Sequence, residues 1–319
     1  MTLEEIATLG GAGRTAAFDP SIFDRTFHAT KRPSVLLRKR GKTLSFDDFA
    51  TGTSQGFNPN MGGYDQINTT LAPSTGFPFS GKYTLCLATG ENHYTKDENT
   101  RTSSAVKRMA LVKDATEWDT ISISLIVALV GTGVPPVGVD GYDANRPYKY
   151  PWRRFYIGLD MQEPTASDGR RFPVLQLLDR STANLYQSPA WQIIKDRYDT
   201  ANNKLDPAPD PITLAGSGDL FSGLNEFKGG PFTYVRLTWS RTTGYVEAQI
   251  NDQTFDLRSL GGQMARDKHL NTSSLDKFSY GLNAIFGLER SSQNPDFTQN
   301  RAYVDHCWVT VGDDLRLAA

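Results

Sequence analysis

Along most of the chain, apolar and polar residues alternate with a period of two, which is the pattern of half-buried β-strands. In Phe232–Ser240, Val235, Leu237 and Trp239 fall on one side and Tyr234, Arg236 and Thr238 on the other. After turn residues 241–244 the alternation resumes in Tyr245–Ile250. Pairing Trp239 with Val246, Leu237 with Ala248 and Val235 with Ile250 sorts both segments into an apolar and a polar face. The same register sets Thr238 opposite Glu247 and Arg236 opposite Gln249. A slip of one residue would mix the faces, so the pattern predicts a hairpin with one side in a core. In Arg153–Met161, Phe155, Ile157 and Leu159 point one way, and Tyr156, Asp160 and Gln162 the other. Residues Thr120–Val130 are apolar almost throughout after Ser124, as in a central strand covered on both sides.

Other strand signals are Leu44–Phe46, Lys82–Ala88, Ala105–Val112, Arg171–Leu178, Trp191–Lys195, Thr254–Leu257, Phe278–Leu288 and Ala302–Val311. Helical patterns are scarce. Leu257–Lys268 is the best of them, weakened by Gly261 and Gly262, and Thr2–Leu9 offers a brief capped turn. Segments 51–81, 131–151 and 196–231 are rich in Gly, Pro, Asn and Asp and read as long surface loops. Residues 1–43 differ from the rest. Their aperiodic apolar positions (Phe18, Ile22, Phe23, Phe27) and a basic cluster around Ser34–Leu37 predict an N-terminal arm and a charged edge strand. The expected organisation is an arm over 1–43 and one large β domain over 44–319.

Composition agrees with this pattern. The 319 residues are 38% hydrophobic, 22% charged and 11% aromatic, with 28 Gly and 17 Pro, as in a folded protein of short strands and many turns. A net charge of −1 supplies no electrostatic drive towards nucleic acid or an anionic membrane. The longest apolar run, Ile121–Val130, is far too short to span a bilayer as a helix. Met1–Gly10 carries Glu4 and Glu5 and no basic segment before an apolar one, so it is not read as a signal peptide. A cytoplasmic location is the default expectation, with an extracellular one left open.

Catalytic and metal motifs are sparse. His28, His93, His269 and His306 have no metal-ligand spacing, and two cysteines cannot complete a zinc site. Cys86 and Cys307 each lie in a strand-like run and read as buried thiols, with one bridge between an early and the last strand as the alternative. There is no Gly-x-Ser-x-Gly elbow, and Gly10–Thr15 lacks the lysine and spacing of a phosphate loop. Trp239 and Trp308 are expected in the core, whereas Trp152, beside Tyr148, Tyr150 and Arg153, sits at a loop end where a ligand could stack.

Taken in order, several segments resemble the concanavalin A-like lectin/glucanase superfamily, which includes laminin G-like domains. They are Leu44–Phe49, Gly81–Leu87, Phe155–Asp160, the 232–250 hairpin followed by Phe255–Leu257, and the closing strand Ala302–Val311. The resemblance covers roughly residues 44–319 and consists of strand patterns, not a chemical motif. It implies an all-β, two-sheet antiparallel jelly-roll sandwich whose polar concave face is the usual glycan surface. By alternation, Tyr156, Asp160, Gln162, Tyr234, Arg236, Glu247 and Gln249 are expected on that face, with Trp152 nearby. Sugar recognition needs an aromatic plane and forked amides and carboxylates, and those residue types are present.

The same resemblance frames two further expectations. A glycoside hydrolase needs two carboxylates about 5–10 Å apart. The one-strand Glu-x-Asp-x-x-Glu arrangement is absent, which leaves Asp160 with Glu247 as the candidate pair and Glu163 and Asp256 behind them. A structural calcium would draw on Asp47, Asp48 and Asp305, if the first and last strands are neighbours, or on Asp140, Asp143 and Asn145. The leading expectation is therefore a carbohydrate-binding sandwich without catalysis, contacting its ligand through loops 51–81 and 131–151 and the Tyr156/Arg236/Glu247 face. The alternatives are a glycoside hydrolase or polysaccharide lyase on the same fold, and a structural protein forming homo-oligomers through residues 1–43.

Overall fold

A computed structural model describes residues 42–49, 56–59, 68–73, 83–89, 102–110, 119–132, 152–162, 170–178, 189–196, 198–199, 204–205, 211–217, 233–260, 265, 281–290 and 299–312. These form β1 (Lys42–Asp47), β2 (Asn58–Pro59), β3 (Asn68–Pro73), β4 (Tyr83–Thr89), β5 (Thr102–Ala110) and β6 (Thr120–Thr132). Then come β7 (Trp152–Gln162), β8 (Arg170–Arg171), β9 (Val174–Leu178), β10 (Ala190–Ile193), β11 (Tyr198–Asp199) and β12 (Lys204–Leu205). The last six are β13 (Ile212–Thr213), β14 (Thr233–Ser240), β15 (Gly244–Ile250), β16 (Gln253–Asp256), β17 (Gly281–Arg290) and β18 (Gln299–Val311).

Two eight-stranded antiparallel sheets make a jelly-roll sandwich. The first runs β16-β15-β14-β6-β18-β4-β3, with β1 also on β18, and the second β13-β10-β9-β7-β17-β5-β2, with β8 on β7. Strands β11 and β12 pair separately. One apolar core joins the two sheets. Ile121, Ile123, Leu125, Val235, Leu237 and Trp239 come from the first, and Phe155, Ile157, Leu159, Leu175, Leu177, Trp191 and Phe286 from the second. Each is fully buried, contributing about 2–3 kcal/mol of transfer free energy per large side chain. Strand β6 lies between β14 and β18, as its unbroken apolar run predicts, and its Ile126 and Ala128 are buried on the outer side as well.

Several expectations are corrected. Loop 51–81 contains β2 and β3, and loop 196–231 contains β11, β12 and β13. The predicted helix at Leu257–Lys268 starts instead as a turn over Leu257–Leu260, closed by Leu260 N–H donating to Leu257 O at 3.1 Å. Arg171–Leu178 is two strands, divided at Phe172–Pro173, because proline has no N–H for a ladder. Residues 1–41 and 133–151, with the arm, the basic cluster up to Arg40 and the Asp140/Asp143/Asn145 loop, lie outside the described residues.

The 233–250 hairpin follows the predicted register over four pairs, from Val235–Ile250 to Thr238–Glu247. It then shifts, and Trp239 pairs with Tyr245 instead of Val246. The turn is the three residues Arg241, Thr242 and Thr243 followed by Gly244 at φ +83°, so Val246 is the extra residue of a bulge. The bulge turns Tyr245 inward. Its hydroxyl accepts from Val174 N at 2.9 Å and donates to Ile194 O at 2.9 Å, tying the first sheet to the second. Burial raises the Tyr245 pKa well above the usual phenol range, so the hydroxyl stays protonated and able to donate.

Cys86 and Cys307 are buried free thiols. Strands β4 and β18 are neighbours, yet Cys307 is in the core while Cys86, between core residues Leu85 and Leu87, points to the outer side. Opposite faces of one sheet cannot be bridged, which removes the disulfide alternative.

Candidate functional site

The side chains expected on one polar face belong to two. Tyr156 and Asp160 alternate with core residues of β7 and lie on the outer face of the second sheet. Tyr234, Arg236, Glu247 and Gln249 alternate with core residues of β14 and β15 and lie on the outer face of the first. The whole core separates the groups, so Asp160 and Glu247 cannot flank one scissile bond. Gln162 and Trp152 belong to β7, but their side chains, like Glu163, lie outside what the structure describes. Asp256 is exposed at the edge of the first sheet, where the Arg258 guanidinium holds it at 2.9 Å and lowers its pKa.

The calcium set is also divided. Asp47 pairs with Cys307 and points with it into the interior, where Lys107 Nζ lies 2.5 Å from Oδ1 and Ser45 Oγ donates to Oδ2 at 2.8 Å. Asp305 is at a bulge of β18 on the outer side, with His306 Nδ1 2.5 Å from its Oδ2 but poorly aligned for a hydrogen bond. Strands β1 and β18 are neighbours as expected, yet the carboxylates face opposite ways. Asp48 follows β1, and no cluster of three or more His, Cys, Asp or Glu occurs among the described residues. Burial, and after it the nearby Asp47 carboxylate, raises the Cys307 pKa well above its ordinary value.

The outer face of the first sheet carries polar groups that are nevertheless shut off from solvent. Arg236 donates to Ser122 Oγ at 3.2 Å, Ser122 shares a hydrogen bond with Thr238, and Gln249 Nε2 donates to Asn251 O. Arg236 is 6% exposed, Glu247 8% and Gln249 3%, and on the second sheet Gln176 and Gln192 are as deeply buried, at 5% and 4%. Trp308, expected in the core, lies on this face instead and stacks on Tyr234 with ring centroids 5.7 Å apart. The β18 bulge resets the alternation there. Phe46, 47% exposed, completes an aromatic patch with His306 and Trp308.

The outer face of the second sheet is organised in rows across the strands. One row aligns Thr213, Gln192, Gln176, Tyr156, Gly287 and Ser104 on six adjacent strands, spanning roughly 24 Å at the usual strand spacing. Hydrogen bonds run along it. Arg154 Nη1 donates to Gln176 Oε1 at 3.4 Å, Gln176 Nε2 to Gln192 Oε1 at 3.3 Å and Gln192 Nε2 to Thr213 Oγ1 at 3.1 Å. The Tyr156 ring lies across Gly287, where a Cβ would meet the ring's far end at 2.5 Å, and the Arg154 guanidinium sits 5.1 Å from its centroid. Burial raises the Tyr156 pKa, which keeps its hydroxyl protonated.

Two residues further along the strands, an apolar row aligns Val174, Gly158, Ile285 and Val106. Tyr156, Val174 and Ile285 form a small apolar cluster with half-buried Val106, Phe172 and Ile194 packed against it. Gly158 has no room for a side chain, since a Cβ there would lie 2.8 Å from Pro173 O. Beyond the stripe is a second polar row, Asp160 with Asn283, where Arg170 grips Asp160 through Nε (2.9 Å) and Nη2 (3.3 Å). The face is thus an apolar stripe with a polar row on each side, each roughly 7 Å away.

Sequence reasoning identified Tyr156 and Asp160 but missed Gln176, Gln192, Arg154 and Glu289. The available signal was a lone glutamine at an outward position in each of two short apolar strands, Val174–Leu178 and Ala190–Ile193.

No family model matches the chain, and no curated protein matches it in sequence. Among solved structures, it is similar to the Emp47p carbohydrate recognition domain at 7% identity and a TM-score of 0.41, over 86% of this chain and 97% of that one. It is similar to an alginate lyase from Pseudomonas aeruginosa at 10% identity and a TM-score of 0.39, over 77% and 87% of the two chains. Winged bean acidic lectin, solved with methyl-alpha-D-galactose, is similar at 11% identity and a TM-score of 0.39, over 81% and 94%. Similarity this distant says nothing about the chemistry of this chain, and the jelly-roll architecture rests on its own strand order and core.

Proposed function

We propose that the protein binds a carbohydrate without transforming it, on the outer face of the second sheet. The observation that carries the reading is the apolar stripe of Val174, Ile285 and Val106 with a hydrogen-bonding row on each side. A sugar ring has apolar C–H faces and a rim of hydroxyls, and such a surface matches both at once. Glutamine side chains suit that rim because each offers two donors and a carbonyl acceptor. The carboxylates described on this face, Asp160 and Glu289, are each engaged by an arginine, which favours recognition over general acid–base catalysis.

The test is a glycan array on the purified protein, followed by calorimetric titration of a bound glycan. Val106→Asp places a charge on the stripe and is expected to weaken binding at least about tenfold, or about 1.4 kcal/mol. Phe46→Asp, on the opposite face, is expected to leave binding intact. The reverse pattern would move the site to the first sheet, and measurable hydrolysis or lyase turnover would replace binding with catalysis. A second reading, assembly with another chain, is favoured by the exposed Phe46 beside Trp308 and Tyr234. Glycan arrays without binding and a concentration-dependent size in solution would select it.

A further inference from the structure

We infer that Phe172 is the residue on which a bound sugar ring packs, and that Asp160 positions it through Arg170; the inference rests on the carbohydrate reading above. Tyr156, Val174 and Ile285 are buried, so a ligand meets the half-buried side chains packed against them, Val106, Phe172 and Ile194. Of these three, Phe172 is the aromatic. An aromatic face carries partial negative charge and attracts the partly positive C–H groups of a pyranose, which an aliphatic side chain meets by dispersion alone.

Besides the apolar cluster, two features hold Phe172. Its backbone N–H donates to Ala265 O at 2.8 Å, at the break that separates β8 from β9. That break rests on Gly158, where a Cβ would lie 2.8 Å from Pro173 O and 3.1 Å from Val174 Cγ2. The ring is held as well by Arg170, whose guanidinium carbon lies 5.4 Å from its centroid. Asp160 in turn grips that guanidinium through Nε at 2.9 Å and Nη2 at 3.3 Å. Asp160 stands on β7, paired with Asn283 of β17, so the grip is anchored in the middle of the sheet. A ring already fixed where it binds loses little freedom when a sugar packs on it, which is how the Asp160–Arg170 pair adds affinity.

The experiment follows cellohexaose, laminarihexaose and mannohexaose binding to the full chain and its variants, by calorimetric titration and by proton NMR of the sugar. An oligosaccharide bound on the glycan array but outside this set is titrated in its place. In a sugar bound to the unaltered protein, ring protons are expected to shift upfield, as protons over an aromatic face do. Phe172→Leu keeps an apolar side chain and is expected to abolish that shift and weaken binding about fivefold, whereas Phe172→Tyr keeps affinity within about twofold. Asp160→Asn loosens Arg170 and is expected to shrink the shift and weaken binding about threefold. A purely structural Asp160 would lower Tm and leave the shift of the bound sugar unchanged, and that result overturns the positioning role. A bound sugar without upfield shifts overturns the inference and leaves the carbohydrate reading standing. So does a shift and affinity that survive Phe172→Leu, with its fold confirmed by circular dichroism. If no oligosaccharide and no arrayed glycan binds, the carbohydrate reading falls and the inference with it.

Discussion

Replacing Tyr245 with phenylalanine removes one oxygen and leaves the buried ring in place. That oxygen accepts from Val174 N at 2.9 Å and donates to Ile194 O at 2.9 Å, so two bonds between the sheets are lost with almost no change in packing. Each bond contributes about 1 kcal/mol net, and stranding the buried Val174 N–H costs about 1–3 kcal/mol more. Ile194 is half-buried, so water can reach its carbonyl and relieve part of that loss. The expected destabilisation is about 2–4 kcal/mol. For a domain of this size it should lower Tm by roughly 4–8 °C. Urea unfolding followed by tryptophan fluorescence gives the free energy, and calorimetry gives Tm. Because Val174 belongs to the apolar stripe, glycan affinity should fall as well. A change below about 0.5 kcal/mol would refute the reasoning, since it would mean that the hydroxyl does not hold the sheets together.

Alkaline pH should destabilise the protein: Cys307 is pushed above its usual 9.0, and Tyr156 and Tyr245 above 10.0, chiefly by burial. The unfolded chain releases these protons at the ordinary values while the folded chain holds them, so their stabilisation is complete below about pH 9 and is lost as pH rises. Urea midpoints should decline from about pH 9 for the thiol and more steeply from about pH 10 for the phenols; a midpoint flat across that window would contradict the assigned burial. Gly287→Ala should cost about 1–2 kcal/mol, because its Cβ would lie 2.5 Å from Tyr156 Cζ and Oη and force the ring off its seat. Glycan binding should weaken with it, and an unchanged Tm would show that the ring does not rest on Gly287.

The legible part of the candidate site was the part that depends on one strand. In β7, alternation alone turns Phe155, Ile157 and Leu159 inward and Tyr156 and Asp160 outward. The rule failed where the ladder is interrupted. Tyr245 reads as outward until the bulge at Val246 adds a residue, and Trp308 reads as core until the β18 bulge beside Asp305 does the same. A bulge shifts every position on one side of it, and nothing local in composition marks it reliably.

The sequence by itself determined the all-β class, most strand positions, the 233–250 hairpin and the inward set of β6, because side-chain alternation follows from backbone geometry within each strand. Tertiary structure alone decided which outward faces coincide. Tyr156 and Arg236 look equivalent by alternation, yet strand order sends them to opposite outer faces with the core between them. Gln176 and Gln192 became neighbours of Tyr156 only because β9 lies between β10 and β7, and β17 beside β7 supplied Gly287 as the seat for its ring. Pairing between strands distant in sequence depends on how all the apolar faces close over one core, and a single segment does not carry that information.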